Sequence, residues 1–216
     1  MEWSPVCEKD VAETLRTTLN WKAPGRDQIT NFWLKQLTAT HKHIAALFNK
    51  LIEDEKILEW LTAGATFLIP KNENTENPHN YRPVTCLPTI YKLMTSIISR
   101  HMQKYMDDEN LMPKEQKGCC RGSKGCKDQL LISKAILQEC NAGKKFVYGT
   151  DYQKAFDRVP HSWIIKCLEL IGINNKFVSF TKKVMSYWRT RMRLHTENKL
   201  KETDDIKIQC GIFQGD

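Results

Sequence analysis

Acidic residues nearly vanish from one stretch of this chain. Between positions 176 and 201 a single acid, Glu197, stands against Lys176, Lys182, Lys183, Arg189, Arg191, Arg193, Lys199 and Lys201. Long apolar runs are missing too. None approaches the roughly 18 residues that a bilayer span requires, and the first residues lack a signal-peptide core. A membrane-spanning or secreted protein is therefore not expected. Eight cysteines are present, yet no C-x-x-C pair exists and the six histidines complete no zinc-finger spacing. Cys119, Cys120 and Cys126 form the only cysteine cluster. Reduced thiols in an intracellular compartment are the better reading. The absence of an internal repeat or low-complexity tract argues against an array.

What is there suffices for a folded body. The 216 residues are 41% hydrophobic and 27% charged, enough to bury a core and too rich for disorder. The net charge of +8 suggests an acidic partner. A second basic cluster, Lys114, Lys117, Arg121, Lys124 and Lys127, surrounds a glycine-rich loop. Phosphate backbones attract such stripes through counterion release, whereas a solvated basic face is the plainer alternative. The candidates for nucleic-acid contact are Lys117, Arg121, Lys124, Lys182, Lys183, Arg189, Arg191 and Arg193.

Hydrophobic spacing sketches a mixed α+β body. Val11, Leu15 and Leu19 recur every four residues, and Trp21 to Asp27 then breaks the helix at Pro24-Gly25. Helical spacing resumes at Phe32, Leu34 and Leu37, and again from Ile44 to Ile52. Ala65 to Lys71 reads as a short strand ending near proline, 72–80 as a loop, and Tyr81 to Cys86 as a second strand. Leu93, Met94, Ile97, Ile98, Met102 and Tyr105 make one stripe of a long helix. Lys127 to Cys140, Trp163 to Ile171 and Lys176 to Trp188 also read as helical. Arg191 to Thr196 and Ile206 to Cys210 suggest the arms of a hairpin.

The most informative stretch is Lys145-Phe146-Val147-Tyr148-Gly149-Thr150 followed by Asp151-Tyr152-Gln153-Lys154-Ala155-Phe156-Asp157. Its β-branched and aromatic residues predict a buried strand that delivers a carboxylate at its end. Alternation puts Val147, Gly149 and Asp151 on one face, so Gly149 leaves space beside the acid. A phosphoryl-transfer enzyme would hold Mg²⁺ in this way, although aspartate is also a common turn residue. Lys71 and Arg82, on neighbouring strands, are suited to clamping a triphosphate, or are simply solvent-facing cations. Gln214, between Gly211 and Gly215, sits where an amide can reach a ligand.

Taken in order, Ile-Pro-Lys at 69–71, Tyr-Arg-Pro-Val at 81–84, Asp-Tyr-x-x-Ala-Phe-Asp at 151–157 and Gly-Ile-Phe-Gln-Gly-Asp at 211–216 resemble the reverse transcriptase domain of non-LTR (LINE-type) retrotransposons, a relative of group II intron and telomerase polymerases. Ala23-Pro24-Gly25-Arg26-Asp27 is similar to that family's Pro-Gly-x-Asp signature. Glu115 to Gly118 with Asp128-Gln129 is similar to a further family segment.

The resemblance implies a right-hand polymerase with fingers and a partial palm, the thumb absent. The implied division is a helical extension over 1–60, fingers over 61–144 and palm over 145–216. Asp151 would be the catalytic ligand of two Mg²⁺ ions, with the backbone carbonyl of Tyr152 assisting. Phe156 would be a steric gate selecting deoxynucleotides, above the shallow pocket left by Ala155. Lys71, Arg82 and Gln214 would hold the incoming dNTP. Asp157 is expected to cap the following helix. The implied partners are an RNA template, a DNA primer and dNTP, with no membrane and no obligate protein partner, acting in the nucleus at chromosomal DNA. The family's aromatic-Ala-Asp-Asp hairpin is not among these residues, so nucleotidyl transfer and its two metals are expected of a longer parent. This chain alone is expected to be inactive. A non-catalytic basic RNA- or DNA-binding module and a degenerate retroelement relic are the alternatives.

Overall fold

Apolar residues at helical spacing decide where the core lies. The computed structural model describes residues 1–118, 123–143, 149–196 and 199–215. It divides into two compact units, one of Met1–Gln103 with Lys154–Asp216 and one of Lys104–Gln153.

In the first unit, helix α1 (Glu8–Thr17) opens with a capping box in which the Asp10 carboxylate accepts from the Cys7 amide at 2.8 Å. Its Val11 and Leu15 are buried, whereas Leu19 lies beyond the helix and is 69% exposed. α2 (Asn31–Gln36) and α3 (His41–Asp54) pack with α1, and α3 buries Ile44, Phe48, Leu51 and Ile52. α6 (His161–Leu170) and α7 (Asn175–Ser186) form a second helical pair. α7 contributes Phe177, Phe180, Val184 and Met185 to the core and also packs on α3. α4 (Thr89–Asp108) begins in this unit with Leu93, Met94, Ile97 and Ile98 buried, as the stripe predicts.

One sheet completes the unit. β1 (Ala63–Pro70) pairs antiparallel with β2 (Tyr81–Cys86) and parallel with β3 (Arg189–Thr196). β3 pairs antiparallel with β4 (Lys199–Glu202) and, at Arg189 and Thr190, with β5 (Ile206–Lys207). The expected hairpin partner, Ile206 to Cys210, is thus mostly replaced by β4. The segment nearer in sequence takes the pairing because the shorter connection costs less chain entropy.

Three buried threonines stitch the sheet. Thr66 Oγ1 lies 2.7 Å from Thr85 Oγ1 on β2 and 2.6 Å from Thr190 Oγ1 on β3. Gly64 allows the approach, since a Cβ there would meet the Thr85 methyl at 2.5 Å.

The second unit contains α5 (Cys126–Ala142), where Asp128 accepts from the Lys124 amide at 2.9 Å. Leu130, Leu131, Ile132, Ile136 and Leu137 of this helix are all exposed. Of the strand expected at 145–150, residues 145–148 lie outside the described residues, and Gly149 and Thr150 are in no strand.

Replacing Thr66 by valine keeps the shape but strands two buried hydroxyls. We expect a loss of ~1–3 kcal/mol, read from urea denaturation. An unchanged midpoint would mean that the hydroxyl chain is energetically idle.

Candidate functional site

Glycine brings two distant motifs together in the first unit. Gly211 and Gly215 have φ of +84° and +105°, a region that side-chain-bearing residues avoid. A Cβ on Gly211 would sit 2.7 Å from the Asp157 carbonyl oxygen, and one on Gly215 would sit 2.7 Å from Val84. The loop between them therefore lies tightly against the 156–159 turn on one side and β2 on the other. Four backbone bonds or backbone-directed bonds fix it there. Gly211 N donates to Val159 O at 2.8 Å and Ile212 N to Phe156 O at 2.9 Å. Thr85 N donates to Gln214 O at 2.8 Å, and His161 Nε2 lies 2.9 Å from Gly211 O. Phe213 packs on Trp188 with ring centroids 5.1 Å apart.

The side chains follow. Gln214 Nε2 donates to Asp157 Oδ1 at 2.9 Å. Contrary to the expectation from its position, Asp157 does not cap the next helix. It sits inside a 3₁₀ turn, Phe156–Arg158, while Pro160 precedes α6 without a side-chain cap. Phe156 is 55% exposed on this turn and Ala155 is exposed beside it.

Lys71 directly follows β1, and Arg82 lies on β2. Ile69 pairs with Arg82 in the ladder, and just beyond it the Lys71 amide donates to Asn80 O at 2.7 Å. Lys71 Nζ donates to His79 O at 3.2 Å, and Lys154 Nζ lies 3.4 Å from His79 Nδ1. Lys154, from the Asp-Tyr-Gln-Lys-Ala-Phe-Asp motif, is a residue that sequence reasoning passed over. Its motif position was the available signal.

Asp151 and Tyr152 belong to the second unit and are exposed, outside any strand. A Cβ on Gly149 would meet nothing within 4 Å, but Gly149 and Asp151 are exposed and in no strand, so the shared strand face expected from alternation is not formed. Lys117 is half-buried and Lys124 exposed in the same unit, while Arg121 lies outside the described residues.

The basic stripe is less free than its composition suggests. Alternation puts Arg189, Arg191 and Arg193 on one face of β3. There Arg191 Nε meets Asp205 at 2.6 Å and Arg193 Nε meets Glu202 at 2.6 Å. Arg193 also lies over the Phe67 ring at 5.7 Å. Arg26 reaches Asp205 at 3.5 Å. The hydrogen bond from Arg191 is the main reason the Asp205 carboxyl is held below the usual carboxylate range. Lys182 and Lys183, on α7, are exposed.

The Pro-Gly-x-Asp segment has a structural task. A Cβ on Gly25 would collide with the Leu87 carbonyl carbon at 2.3 Å. Asp27 Oδ2 accepts from the Thr89 amide at 2.7 Å, capping α4 from 62 residues away. Burial pushes the Asp27 carboxyl above its ordinary value, and hydrogen bonds from the Thr89, Ile90 and Ile29 amides only partly oppose it.

Against this geometry, the family described as reverse transcriptase (RNA-dependent DNA polymerase) matches residues 69–215. The chain belongs to the reverse transcriptase family. Curated relatives agree. The chain is 28% identical over 217 residues to a retrovirus-related Pol polyprotein from type-1 retrotransposable element R2 of Popillia japonica, covering 99% of this chain and 29% of that protein. It is 27% identical over 169 residues to a probable RNA-directed DNA polymerase from transposon BS of Drosophila melanogaster, covering 74% and 18%. The RNA-directed DNA polymerase from mobile element jockey of the same fly gives 27% over 148 residues, covering 67% and 16%. This reverse transcriptase segment therefore spans less than a third of each of these retrotransposon proteins, and the family expected from its motifs is met.

The raised Asp27 value fixes a sign for this reverse transcriptase segment. A carboxyl whose folded pKa is raised adds stability below its unfolded pKa of about 3.9, and loses it as pH rises through the folded value. Asp27→Asn should remove that component. The stability difference between the variant and the parent should therefore shift in the parent's favour as pH falls from 7 toward 4. Parallel urea curves across that range test it, and a pH-independent difference would refute it.

Proposed function

We propose that this segment is the nucleotide-binding part of a retrotransposon RNA-directed DNA polymerase, forming fingers over 61–144 and part of a palm over 145–216 after a helical extension over 1–60. The observation that carries the reading is the clamping of the Gly211–Gly215 loop onto the Phe156 turn, which puts an exposed ring and an oriented amide on one rigid surface. In the reaction, a primer 3′-hydroxyl attacks the α-phosphorus of a dNTP. The bond to the bridging oxygen breaks, and pyrophosphate and a proton leave.

Each residue then has a task. Lys71 and Arg82 neutralise the triphosphate, with Arg82 exposed and able to present a bidentate fork. Gln214 hydrogen-bonds the nucleotide. Phe156 fills the space a 2′-hydroxyl would need, and Ala155 keeps the neighbouring floor low. Exposed Lys182 and Lys183, with Lys124, Lys117 and Arg121, would follow the template–primer backbone, with Arg189, Arg191 and Arg193 contributing at the sheet.

Asp151 offers the hard oxygen ligand that Mg²⁺ prefers. Among the described residues, however, no group of three His, Cys, Asp or Glu is placed to hold a metal. The described residues alone do not fit a metal pair, and Mg²⁺ is proposed only for a polypeptide that adds carboxylates beside Asp151. Among the described residues no helix is long and apolar enough to cross a membrane. Nuclear action on chromosomal DNA belongs to the same proposal.

The test is incorporation of dNTP on a primed RNA by the full polypeptide carrying this segment. Asp151→Ala should abolish extension, and a variant that extends primers as well as the parent would end the proposal. Phe156→Val should admit ribonucleotides, raising rNTP incorporation relative to dNTP by about tenfold or more, since a steric exclusion is being relieved. Unchanged sugar selectivity would remove Phe156 from the gate.

A further inference from the structure

Gln214 carries an amide whose two ends are nearly equal in shape and opposite in hydrogen-bonding sense. We propose that Asp157 decides which end meets the ligand, so that Gln214 presents its Oε1 outward as an acceptor for an O–H or N–H donor on the incoming nucleotide. The inference rests on the nucleotide-site reading above and assigns a positioning residue within it.

The argument is one of polarity. An ionised carboxylate only accepts, so the Gln214 nitrogen must face Asp157 Oδ1, at 2.9 Å. The reversed amide would set two oxygens against each other at that distance. The backbone that carries the amide is pinned on both sides, so the hydrogen bond to Asp157 is what selects among the side-chain torsions. Gln214 O accepts from Thr85 N at 2.8 Å, and Ile212 N donates to Phe156 O at 2.9 Å. Asp157 is fixed in turn, its own amide donating to Lys154 O at 3.1 Å. The Phe156 ring and the Gln214 amide thus share a single anchor, the 3₁₀ turn, and cannot drift apart independently. A charge-assisted hydrogen bond is the strong kind, suited to holding one orientation in an exposed place.

A double-mutant cycle tests this in the full polypeptide, using poly(rA) primed with oligo(dT) and dTTP as the probe. Asp157→Ala should raise KM for dTTP about tenfold, the size of one lost charge-assisted hydrogen bond, with a smaller change in kcat. Asp157→Asn, which can turn either an acceptor oxygen or a donor NH2 toward Gln214, should recover only part of the loss. Because Asp157 acts through Gln214, the Asp157→Ala/Gln214→Ala double variant should match Gln214→Ala alone. Independent, multiplying effects in the cycle would overturn the inference, as would an unchanged KM in Asp157→Ala. If the parent incorporates dTTP no better than Asp151→Ala does, the polymerase reading has failed and this inference falls with it. Incorporation that depends on Asp151 but ignores Asp157 sinks the positioning role alone.

Discussion

Everything proposed for the nucleotide site depends on a close backbone approach that only glycine permits. Gly211 and Gly215 bracket a loop held by hydrogen bonds to the 156–159 turn and to β2. Both sites exclude a Cβ by backbone conformation and by space together. Because the fastenings are mostly main chain to main chain, they do not rely on side-chain rotamers. They therefore transmit position with little play. A ring at 156 and an amide at 214, separated by 58 positions in sequence, become parts of one surface. Catalysis by positioning needs this kind of rigidity, since small misplacements of reacting groups are costly.

Electrostatics divide the basic residues into two populations. On β3 the guanidiniums of Arg191 and Arg193 are met by Asp205 and Glu202, acids that lie just past the acid-poor stretch. Such surface pairs add little stability individually. Their larger effect is to cancel the local field that a polyanion would feel. The lysines of α7 are exposed, and Lys183 rests near the Tyr187 ring at 6.0 Å. Long-range attraction for a phosphate backbone is thus concentrated more on helix α7 than on the sheet, although the sequence stripe runs through both.

Local patterns in the sequence were read well where local physics sets the outcome. The α4 stripe, the break at Pro24-Gly25, and the two strands flanking the polar 72–80 loop all follow from period and from punctuation by proline and glycine. Pairings between distant segments were not legible. Nothing in Arg189–Thr196 announces a parallel partner more than a hundred residues upstream, and alternation cannot name the strand that will claim an edge. The Thr66, Thr85 and Thr190 hydroxyl chain is invisible for the same reason, because it exists only once three strands are in register. Asp27 and Asp157 are the instructive cases at the site. Aspartate near a helix start suggests a local cap, yet Asp27 caps a helix distant in sequence and Asp157 binds an amide from another loop. Motif order singled out 155–157 and Gln214 as candidates, but the pairing of Asp157 with Gln214 came only from the fold.

Lys154 shows how tertiary contacts can outweigh local preference. Its φ of +54° is left-handed, a conformation that costs a residue with a Cβ on the order of 1 kcal/mol. Glycine would relieve that cost. The same turn, however, brings the Lys154 ammonium to His79 Nδ1, next to the carbonyl that receives Lys71. It also lets the Lys154 carbonyl accept from Asp157 N, closing the turn that exposes Phe156 and aims the Asp157 carboxylate at Gln214. A glycine would keep the turn and lose the charge, while a right-handed lysine would keep the charge and open the turn. Only a lysine in the unfavourable conformation supplies both the contact to His79 and the closed turn.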